Sequence, residues 1–351
     1  MSIIAAIVIF SVIVLFHEFG HFAAARLNGV EVIEFSLGMG PRLISHVSRK
    51  SHTRYSIKLL LFGGSCLMKG EDDNDMSEGS FGSKKIWQRI LIVAAGPLFN
   101  FLLAFLFAAV IISTAGYDAP VAEYLTEDSP LALTGMKVGD EIRSIGGHKV
   151  TIYRDIVNYV TFDLGSGKAE QPVTVEWTHD GENMSAELFL NHLQGSAGSV
   201  LGIYDGGRFS AGGNIPLILK YSAYEVKYWI GTTLSSLGMI GRGQVSLDDV
   251  SGPVGIVEVI SDTYEETKSE GAFMLFLNML NMAILLSANL GVMNLIPFPA
   301  LDGGRIVLLL IESVRKKKLG ENVEAYINLA GFAVLMVIMA VVMLNDVRKI
   351  L

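Results

Sequence analysis

The chain has 351 residues, of which 51% are hydrophobic and only 18% charged. A protein of this composition would expose too much apolar surface to remain in water, so we expect it to cross a membrane several times. The net charge of −8 does not favour nucleic-acid binding, which requires a basic surface. The single cysteine, Cys66, excludes an intramolecular disulfide and a cysteine-based zinc knuckle. A metal site would therefore consist of His, Asp and Glu.

The first predicted element is a transmembrane helix over residues 1–26. Residues 3–16 are apolar apart from Ser11, and the run continues to Arg26, about the 20 residues that a helix needs to cross a bilayer. A signal peptide is the alternative interpretation. The segment lacks a basic start, however, and three ionisable residues interrupt it where such a peptide is apolar or small.

These ionisable residues, His17, Glu18 and His21, form an HExxH motif. On a helix, residues i and i+4 share a face, so both imidazoles can reach one metal ion while Glu18 meets a metal-bound water. A charged side chain at the centre of a span costs roughly 2–3 kcal/mol, so a sequence without a use for these residues would not retain them. The motif predicts a metal-dependent hydrolase. An ion transporter or a proton relay is the alternative.

The loop over residues 27–87 follows, and it is rich in Lys and Arg. Within it, Glu31–Leu37 and Tyr55–Phe62 have the composition of β-strands. The second transmembrane helix is predicted over residues 88–115. The segment from 115 to 270 is predominantly acidic. By the positive-inside rule, the basic loop is cytoplasmic, whereas the acidic segment and the N-terminus lie outside.

Residues 116–205 are predicted to form a small extracytoplasmic β-rich domain. Short β-rich stretches such as Val173–Trp177 and Ala186–Leu190 alternate with glycine-containing turns. The opening of the domain, Ser129–Val150, resembles the PDZ pattern in which a Gly-Met-x-x-Gly-Asp turn precedes a strand. A PDZ-like domain binds an extended peptide by strand addition. The alternative is a spacer that binds nothing.

The following linker, residues 206–271, contains an apolar stretch at 214–241 that could be taken for a fifth span. Lys220, Glu225 and Lys227 interrupt it, and aromatic residues lie between them. This mixture favours an amphipathic helix in the membrane interface, in contact with lipid.

The third transmembrane helix is predicted over residues 272–305, the basic cytoplasmic segment over 306–324 and the fourth helix over 325–345.

A catalytic zinc ion takes three protein ligands and leaves its fourth position to water. The strongest candidate for the third ligand is Asp302, which follows two prolines and precedes Gly303-Gly304, where the backbone can approach the metal site closely. An ordinary alternative is that Asp302 caps the next helix.

The HExxH motif, combined with the Asn-x-x-Pro-x-Pro-x-Leu-Asp-Gly motif at residues 294–303, resembles the site-2 protease family of intramembrane zinc metalloproteases, in particular its bacterial RseP type. The resemblance covers most of the chain. It includes further short motifs at residues 37–40, 61–64, 68–71, 96–100 and 251–256. One departure is that the chain has room for a single PDZ-like domain, whereas many RseP-type proteins carry two.

The resemblance implies a polytopic α-helical membrane protein with four transmembrane helices, a membrane-associated β-loop within 27–87 and an inserted PDZ-like domain. It implies that His17, His21 and Asp302 bind Zn²⁺ and that Glu18 is the general base. Asn289 and Asn294 would hold the substrate backbone from one side, although interhelical hydrogen bonding is an equally good interpretation of these two residues.

The implied reaction is hydrolysis of peptide bonds within the transmembrane segments of single-span proteins, such as anti-sigma factors or remnant signal peptides. The β-stretches, with Gly63 and Gly64, would offer a strand edge to the unwound substrate. The outer domain would act as a size filter, or bind a peptide ligand. A membrane scaffold with a vestigial metal site is the competing hypothesis.

The number of membrane crossings can be checked against the proposed ligands. A fifth crossing at 214–241 would place Asp302 on the opposite side of the membrane from the histidines.

Overall fold

The computed structural model describes residues 1–71, 75–127, 129–164, 172–189, 201, 206–246, 250–318 and 320–350. The chain forms two compact units, one of residues 1–107 with 246–351 and the other of residues 108–245. The predicted stretch Ala186–Leu190 ends on a residue outside the described ranges.

The first unit is mainly helical. Over the described residues of both units, the α-helices are α1 (Ser2–Leu27), α2 (Ile86–Ala115), α3 (Tyr153–Asn158), α4 (Ile215–Gly241), α5 (Pro253–Thr267), α6 (Ala272–Leu295), α7 (Asp302–Arg315) and α8 (Glu321–Ile350). In the described part of the chain, four helices are long and apolar enough to cross a membrane: Ser2–Leu27, Ile86–Ala115, Ala272–Leu295 and Asn322–Lys349. The prediction of four long apolar helices is confirmed, and α4 is not one of them.

Helix α1 lies at the centre of this unit. Its buried residues Ala6 and Ile13 pack with Leu103 of α2, Ile260 of α5 and Ala283 of α6. Close packing of this kind depends on small residues at the helix crossings. At Gly20, an added Cβ would lie 2.8 Å from the backbone carbon of Ala95. The close approach of α1 and α2 therefore requires glycine there.

Two long strands, β1 (Val32–Val47) and β2 (Arg54–Met68), pair with each other. They include both predicted β-stretches, apart from Glu31, and extend beyond them. Residues 34–37 of β1 each have two partners, one within 54–57 and one within 64–67. This part of β1 is therefore an inner strand, and residues 64–68 of β2 form an outer strand. Gly38, at φ +87°, lies where the first half of β1 ends.

The second unit contains a six-stranded sheet. Its strands are β3 (Tyr117–Ala122), β4 (Glu141–Ile145), β5 (His148–Lys149), β6 (Val173–His179), β7 (Glu182–Leu188) and β8 (Gly206–Phe209). The strand order is β7-β6-β4-β3-β8, and β5 pairs with β4. Alternate residues Val173, Val175 and Trp177 of β6 point into the core, as expected for a sheet with one buried face. A β-rich domain is thus present, and its PDZ type stays a prediction.

Helix α4 packs in this second unit through its polar face. Ser222, Glu225, Tyr228 and Thr233 are its buried residues. Glu225 forms an ion pair with Arg154, whose Nε lies 3.3 Å from Asp118. Burial raises the pKa of the Glu225 carboxyl, although the Arg154 guanidinium opposes the shift. The apolar residues of α4, including Ile215, Leu219, Leu234 and Ile240, stay exposed.

Candidate metal centre

The two histidines of α1 lie side by side. His17 and His21 are one helical turn apart, and their Nε2 atoms are separated by 3.2 Å. Both side chains are buried, at 8% and 9% exposure. The predicted shared helix face is therefore present.

Asp302 joins these histidines from the far end of the chain. Its Oδ2 lies 3.3 Å from Nε2 of His17 and 3.6 Å from Nε2 of His21. Helix α6 ends at Leu295, and Asp302 is the first residue of α7 rather than its N-cap, a position that Leu301 occupies. The Asp302 side chain thus faces the histidines instead of capping α7.

The two glycines after Asp302 allow the turn that places it. A Cβ at Gly303 would lie 2.5 Å from the carbonyl carbon of Leu295, and a Cβ at Gly304 would lie 2.6 Å from that of Phe298. A role for Gly303-Gly304 in bringing the backbone close to the metal site stays a prediction, since the backbone they contact is the turn between α6 and α7. This turn brings the start of α7 back against the end of α6.

The three side chains fit a zinc ion. The described residues contain one group of three such side chains close enough to share a metal, and it consists of His17, His21 and Asp302. With zinc–ligand bonds of about 2.0–2.1 Å, the edge of a tetrahedron measures about 3.3 Å. The observed separations of 3.2, 3.3 and 3.6 Å match this edge. A fourth tetrahedral position remains for water or substrate.

Polar contacts at Nδ1, the ring nitrogen that faces away from Asp302, orient the two imidazoles. Nδ1 of His21 lies 2.9 Å from the carbonyl oxygen of Ile92, to which it can donate only as the Nδ1–H tautomer. That tautomer leaves Nε2 free to bind a metal. Ile92 belongs to α2, so the second helix determines which nitrogen faces Asp302.

Asn100 of α2 has the corresponding position beside His17. Its side-chain amide lies 3.2 Å from Nδ1 of His17. As placed, the amide turns its nitrogen to the ring, and its buried Oδ1 has no partner among the described residues. A half-turn of the amide lets Oδ1 accept the Nδ1–H that His17 would carry with a metal at Nε2. The sequence indicated Asn100 only as part of a motif at the start of the second span.

Gly96 is a second residue of α2 whose role the sequence did not reveal. A Cβ there would collide with Nε2 of His21 and lie 2.8 Å from Cε1 of His17. The only residue that fits beside the two rings is therefore glycine. The available signal was the spacing of Gly96 and Asn100, which are four residues apart and share a face of α2.

Glu18 lines a cavity of about 230 Å³, and the side chains of His17, His21 and Asp302 line the same cavity. The cavity is lined by His17, Glu18, His21, Gly64, Ser65, Cys66, Met68, Glu71, Val93, Asp302 and Arg305. The backbone N–H of Cys66 faces the Glu18 carboxylate. A Cβ at Gly64 would lie 2.9 Å from Cγ of Glu18. The outer strand at residues 64–68 therefore runs directly beside Glu18.

Some of the predicted substrate-binding residues lie at the cavity and others do not. Gly64 lines the cavity, and Gly63 precedes it with φ +88°. Asn289 and Asn294 are half-buried on α6 and do not belong to the cavity lining. A role for the two asparagines in holding substrate stays a prediction.

Comparison with known proteins agrees with this geometry. The model of Peptidase family M50 matches residues 5–338. A provisionally named zinc metalloprotease of Clostridium acetobutylicum is 34% identical over 346 residues, covering 99% of this chain and 97% of the relative. The regulator of sigma-W protease RasP of Bacillus subtilis is 29% identical over 435 aligned positions, covering 99% of each chain. A provisionally named zinc metalloprotease of Fusobacterium nucleatum is 32% identical over 363 positions, covering 100% of this chain and 99% of the relative.

The resemblance found in the sequence is thus confirmed over nearly the whole chain. Together with its four long apolar helices, the match indicates a multi-pass membrane protein. The chain belongs to peptidase family M50, the site-2 protease family, and is a zinc metalloprotease.

Proposed function

We propose that this protein hydrolyses peptide bonds within the transmembrane segments of single-span membrane proteins. In this proposal His17, His21 and Asp302 hold the zinc ion, and Glu18 is the general base. The observation that carries it is the group of three donor atoms at tetrahedral separations, with Glu18 in the same cavity on an apolar helix. Such a position suits cleavage within membrane segments.

The zinc ion and the protein side chains have different roles in the hydrolysis. When bound, the zinc ion polarises the peptide carbonyl and lowers the pKa of a water molecule toward neutrality. Glu18 takes a proton from this water and then delivers it to the leaving nitrogen. The backbone N–H of Cys66, on the outer strand, faces the Glu18 carboxylate.

The outer strand is proposed to bind the substrate backbone. A substrate helix must unwind before cleavage, and its freed backbone groups need new partners because the membrane interior supplies none. Residues 64–68 pair with β1 on one side and, within the described chain, have no strand on the other. The substrate therefore adds as a further strand beside Glu18, and Gly63 and Gly64 leave room for its backbone.

The remaining features complete the proposal. The relative from Bacillus subtilis is named a regulator of sigma-W protease, which supports anti-sigma factors as a substrate class, with remnant signal peptides as another. We place the metal centre near the cytoplasmic side and the β-rich unit outside, where a PDZ-type domain would bind a peptide or limit substrate size. Helix α4 would lie in the membrane interface through its exposed apolar residues.

Replacing Glu18 by Gln tests the assignment. The variant keeps the three metal donors and loses the base, so it should retain zinc and lose cleavage of a model single-span substrate by at least about 100-fold. Zinc content is measured by elemental analysis, and cleavage is measured on the same detergent-purified sample. Asp302→Asn is the companion variant, in which zinc and cleavage should fall together. Undiminished cleavage by Glu18→Gln would contradict the proposal.

A further inference from the structure

The open edge of the outer strand is closed at one end by a carboxylate. In an edge strand, alternate residues turn their backbone N–H groups away from the neighbouring strand. Cys66 is such a residue, because its N–H faces the Glu18 carboxylate, which lines the same cavity. Two residues further on, the N–H of Met68 lies 3.3 Å from Oε2 of Glu71 and donates to it. The edge that accepts substrate beside Glu18 is thus already occupied at Met68.

Arg305 holds this carboxylate in position. Its Nη1 donates to Oε1 of Glu71, and its Nη2 donates to the backbone carbonyl of Glu71 at 2.6 Å. The two side chains are 21% and 15% exposed, so bulk water screens the pair only weakly. Both residues line the cavity that contains Glu18 and Asp302.

The Arg305 side chain is itself fixed by its surroundings. Its guanidinium lies 5.1 Å from the centre of the Phe81 ring, and the Arg89 guanidinium lies 5.2 Å from the same ring. Phe81 is 1% exposed. Arg305 also follows Asp302 by three residues, so both project from the first turn of α7. The strand edge and the metal centre are therefore connected through a single rigid helix turn.

From this geometry we infer that the Glu71–Arg305 pair is a register stop for the substrate strand. An added strand can pair with the outer edge as far as Cys66 and then meets the Glu71 carboxylate in place of a free Met68 N–H. Its position along the edge fixes which of its peptide bonds lies beside Glu18. Glu71 and Arg305 are thus positioning residues that select the scissile bond, an inference that rests on the proposed strand addition.

The inference predicts a change in the cleaved bond. If Glu71 is replaced by Ala, the Met68 N–H becomes free, and the substrate strand can shift along the edge. Because the side chains of a strand alternate between its faces, a shift that keeps the same face moves the chain by two residues. Glu71→Ala should therefore produce a second product, cut two residues from the wild-type site, at a yield within about tenfold of the original.

The substrate is a model single-span protein with a leucine- and alanine-rich segment of about 20 residues that contains one Gly-Gly pair. Products are mapped by mass spectrometry, and zinc content is measured on the same enzyme sample. Glu71→Gln keeps an acceptor for Met68 and should retain the wild-type site, whereas Arg305→Ala releases the carboxylate and should resemble Glu71→Ala.

Glu312→Gln is the matched control. Glu312 also lies on α7 and forms an ion pair with an arginine, at 2.9 Å from Nη1 of Arg89 on α2, but it does not line the cavity. It should leave the cleavage site unchanged. A single unshifted product from Glu71→Ala with normal zinc would overturn the inference, as would loss of zinc in Glu71→Ala. Failure of the wild-type enzyme to cut any single-span substrate would instead contradict the proposed function.

Discussion

Gly96 shows how strongly one residue of α2 limits the metal centre. A methyl group at this position would occupy the space of Nε2 of His21 and press against His17. Gly96→Ala should therefore lower zinc affinity at least about 10-fold, with a parallel loss of cleavage. Titration with a competing chelator measures the affinity.

Gly231 offers a matched control within helix α4. A Cβ there meets nothing within 4 Å. Because alanine favours helix by about 0.5–1 kcal/mol over glycine, Gly231→Ala should keep full zinc affinity and unfold at a slightly higher temperature. Equal zinc affinities for the two variants would show that the metal centre tolerates a side chain at position 96.

A second prediction concerns the effect of Asn100 on zinc affinity. The Asn100→Ala variant removes the acceptor for the Nδ1–H of His17, so zinc affinity should fall about 10–100-fold. Asn100→Asp restores an acceptor and should lie closer to wild type. Ser287→Ala is the control, since the Ser287 hydroxyl donates to the backbone carbonyl of Asn100 at 2.8 Å and does not touch the histidine. Similar affinities for Asn100→Ala and Ser287→Ala would contradict the orienting role.

The sequence predicted His17, Glu18 and His21 because helical spacing is local. A turn of helix brings residues i and i+4 together whatever the rest of the chain does. Gly96 and Asn100 could not be assigned in this way. Their contacts depend on which face of α2 packs against α1. Because α2 is apolar and has few polar positions, its sequence gives little indication of which face this is.

Among the structural elements, the β1–β2 pair contains an ion pair between buried Glu34 and exposed Arg42, and this pair has a defined pH response. The Arg42 guanidinium donates to both Glu34 oxygens at 2.7 Å. Arg42 thereby lowers the pKa of Glu34 to about 2, below the usual value of about 4.3. Because the folded-state pKa is depressed, the pair stabilises the hairpin above about pH 4, and this contribution is lost as the pH falls toward 2.

Hydrogen exchange can measure this contribution. At pH 7, Glu34→Gln should speed amide exchange in residues 32–47 relative to wild type. The difference should shrink as the pH is lowered from about 4 toward 2, since wild-type Glu34 then becomes protonated as well. Glu31→Gln is the control, because its carboxylate is 64% exposed and lies 3.5 Å from Lys69, where ion pairs contribute little. A pH-independent difference would mean that packing, rather than the charge pair, stabilises the hairpin.

The strands themselves were only partly predictable. β-rich composition marked the stretches at 31–37 and 55–62, which lie within β1 and β2 apart from Glu31. The double pairing of residues 34–37 was not predictable, because it depends on where the chain reverses. Helix α4 gives a similar lesson. Its charges indicated an amphipathic helix, but the sequence did not show that Glu225 would be buried against Arg154.

For the molecule as a whole, all three zinc donors and Glu18 lie in one compact unit. Replacing residues 117–241 by a flexible Gly/Ser linker should therefore leave zinc content unchanged. The deletion includes α4, because its buried polar face packs within the second unit. If that unit filters substrates by size, the shortened enzyme should also cut single-span proteins with large outer domains, which the full chain leaves intact.

Elemental analysis and cleavage of substrates with short and long outer segments measure these outcomes. Loss of zinc would contradict the independence of the metal centre. Retained zinc with unchanged substrate selection would contradict the size filter alone.

Composition predicted four long apolar helices because length and hydropathy suffice to recognise a span. The local sequence made Asp302 the strongest candidate for the third ligand, and the resemblance to a family supported its connection to the histidines. Neither periodicity nor spacing relates residues so distant in sequence, since the contact arises from the packing of α1 against the turn between α6 and α7. The sidedness of the loops stays a prediction, because it depends on charge interactions with the membrane and the insertion machinery.

The distance along the chain between His21 and Asp302 also has a consequence for biosynthesis. With the proposed ligands, a nascent chain that has inserted α1 and α2 carries two histidines and lacks the carboxylate. The third donor arrives only after the β-rich unit and α6 have been made. The enzyme is therefore inactive while it shares the insertion machinery with other unfolded membrane segments. Proteolysis begins only once α7 has been made.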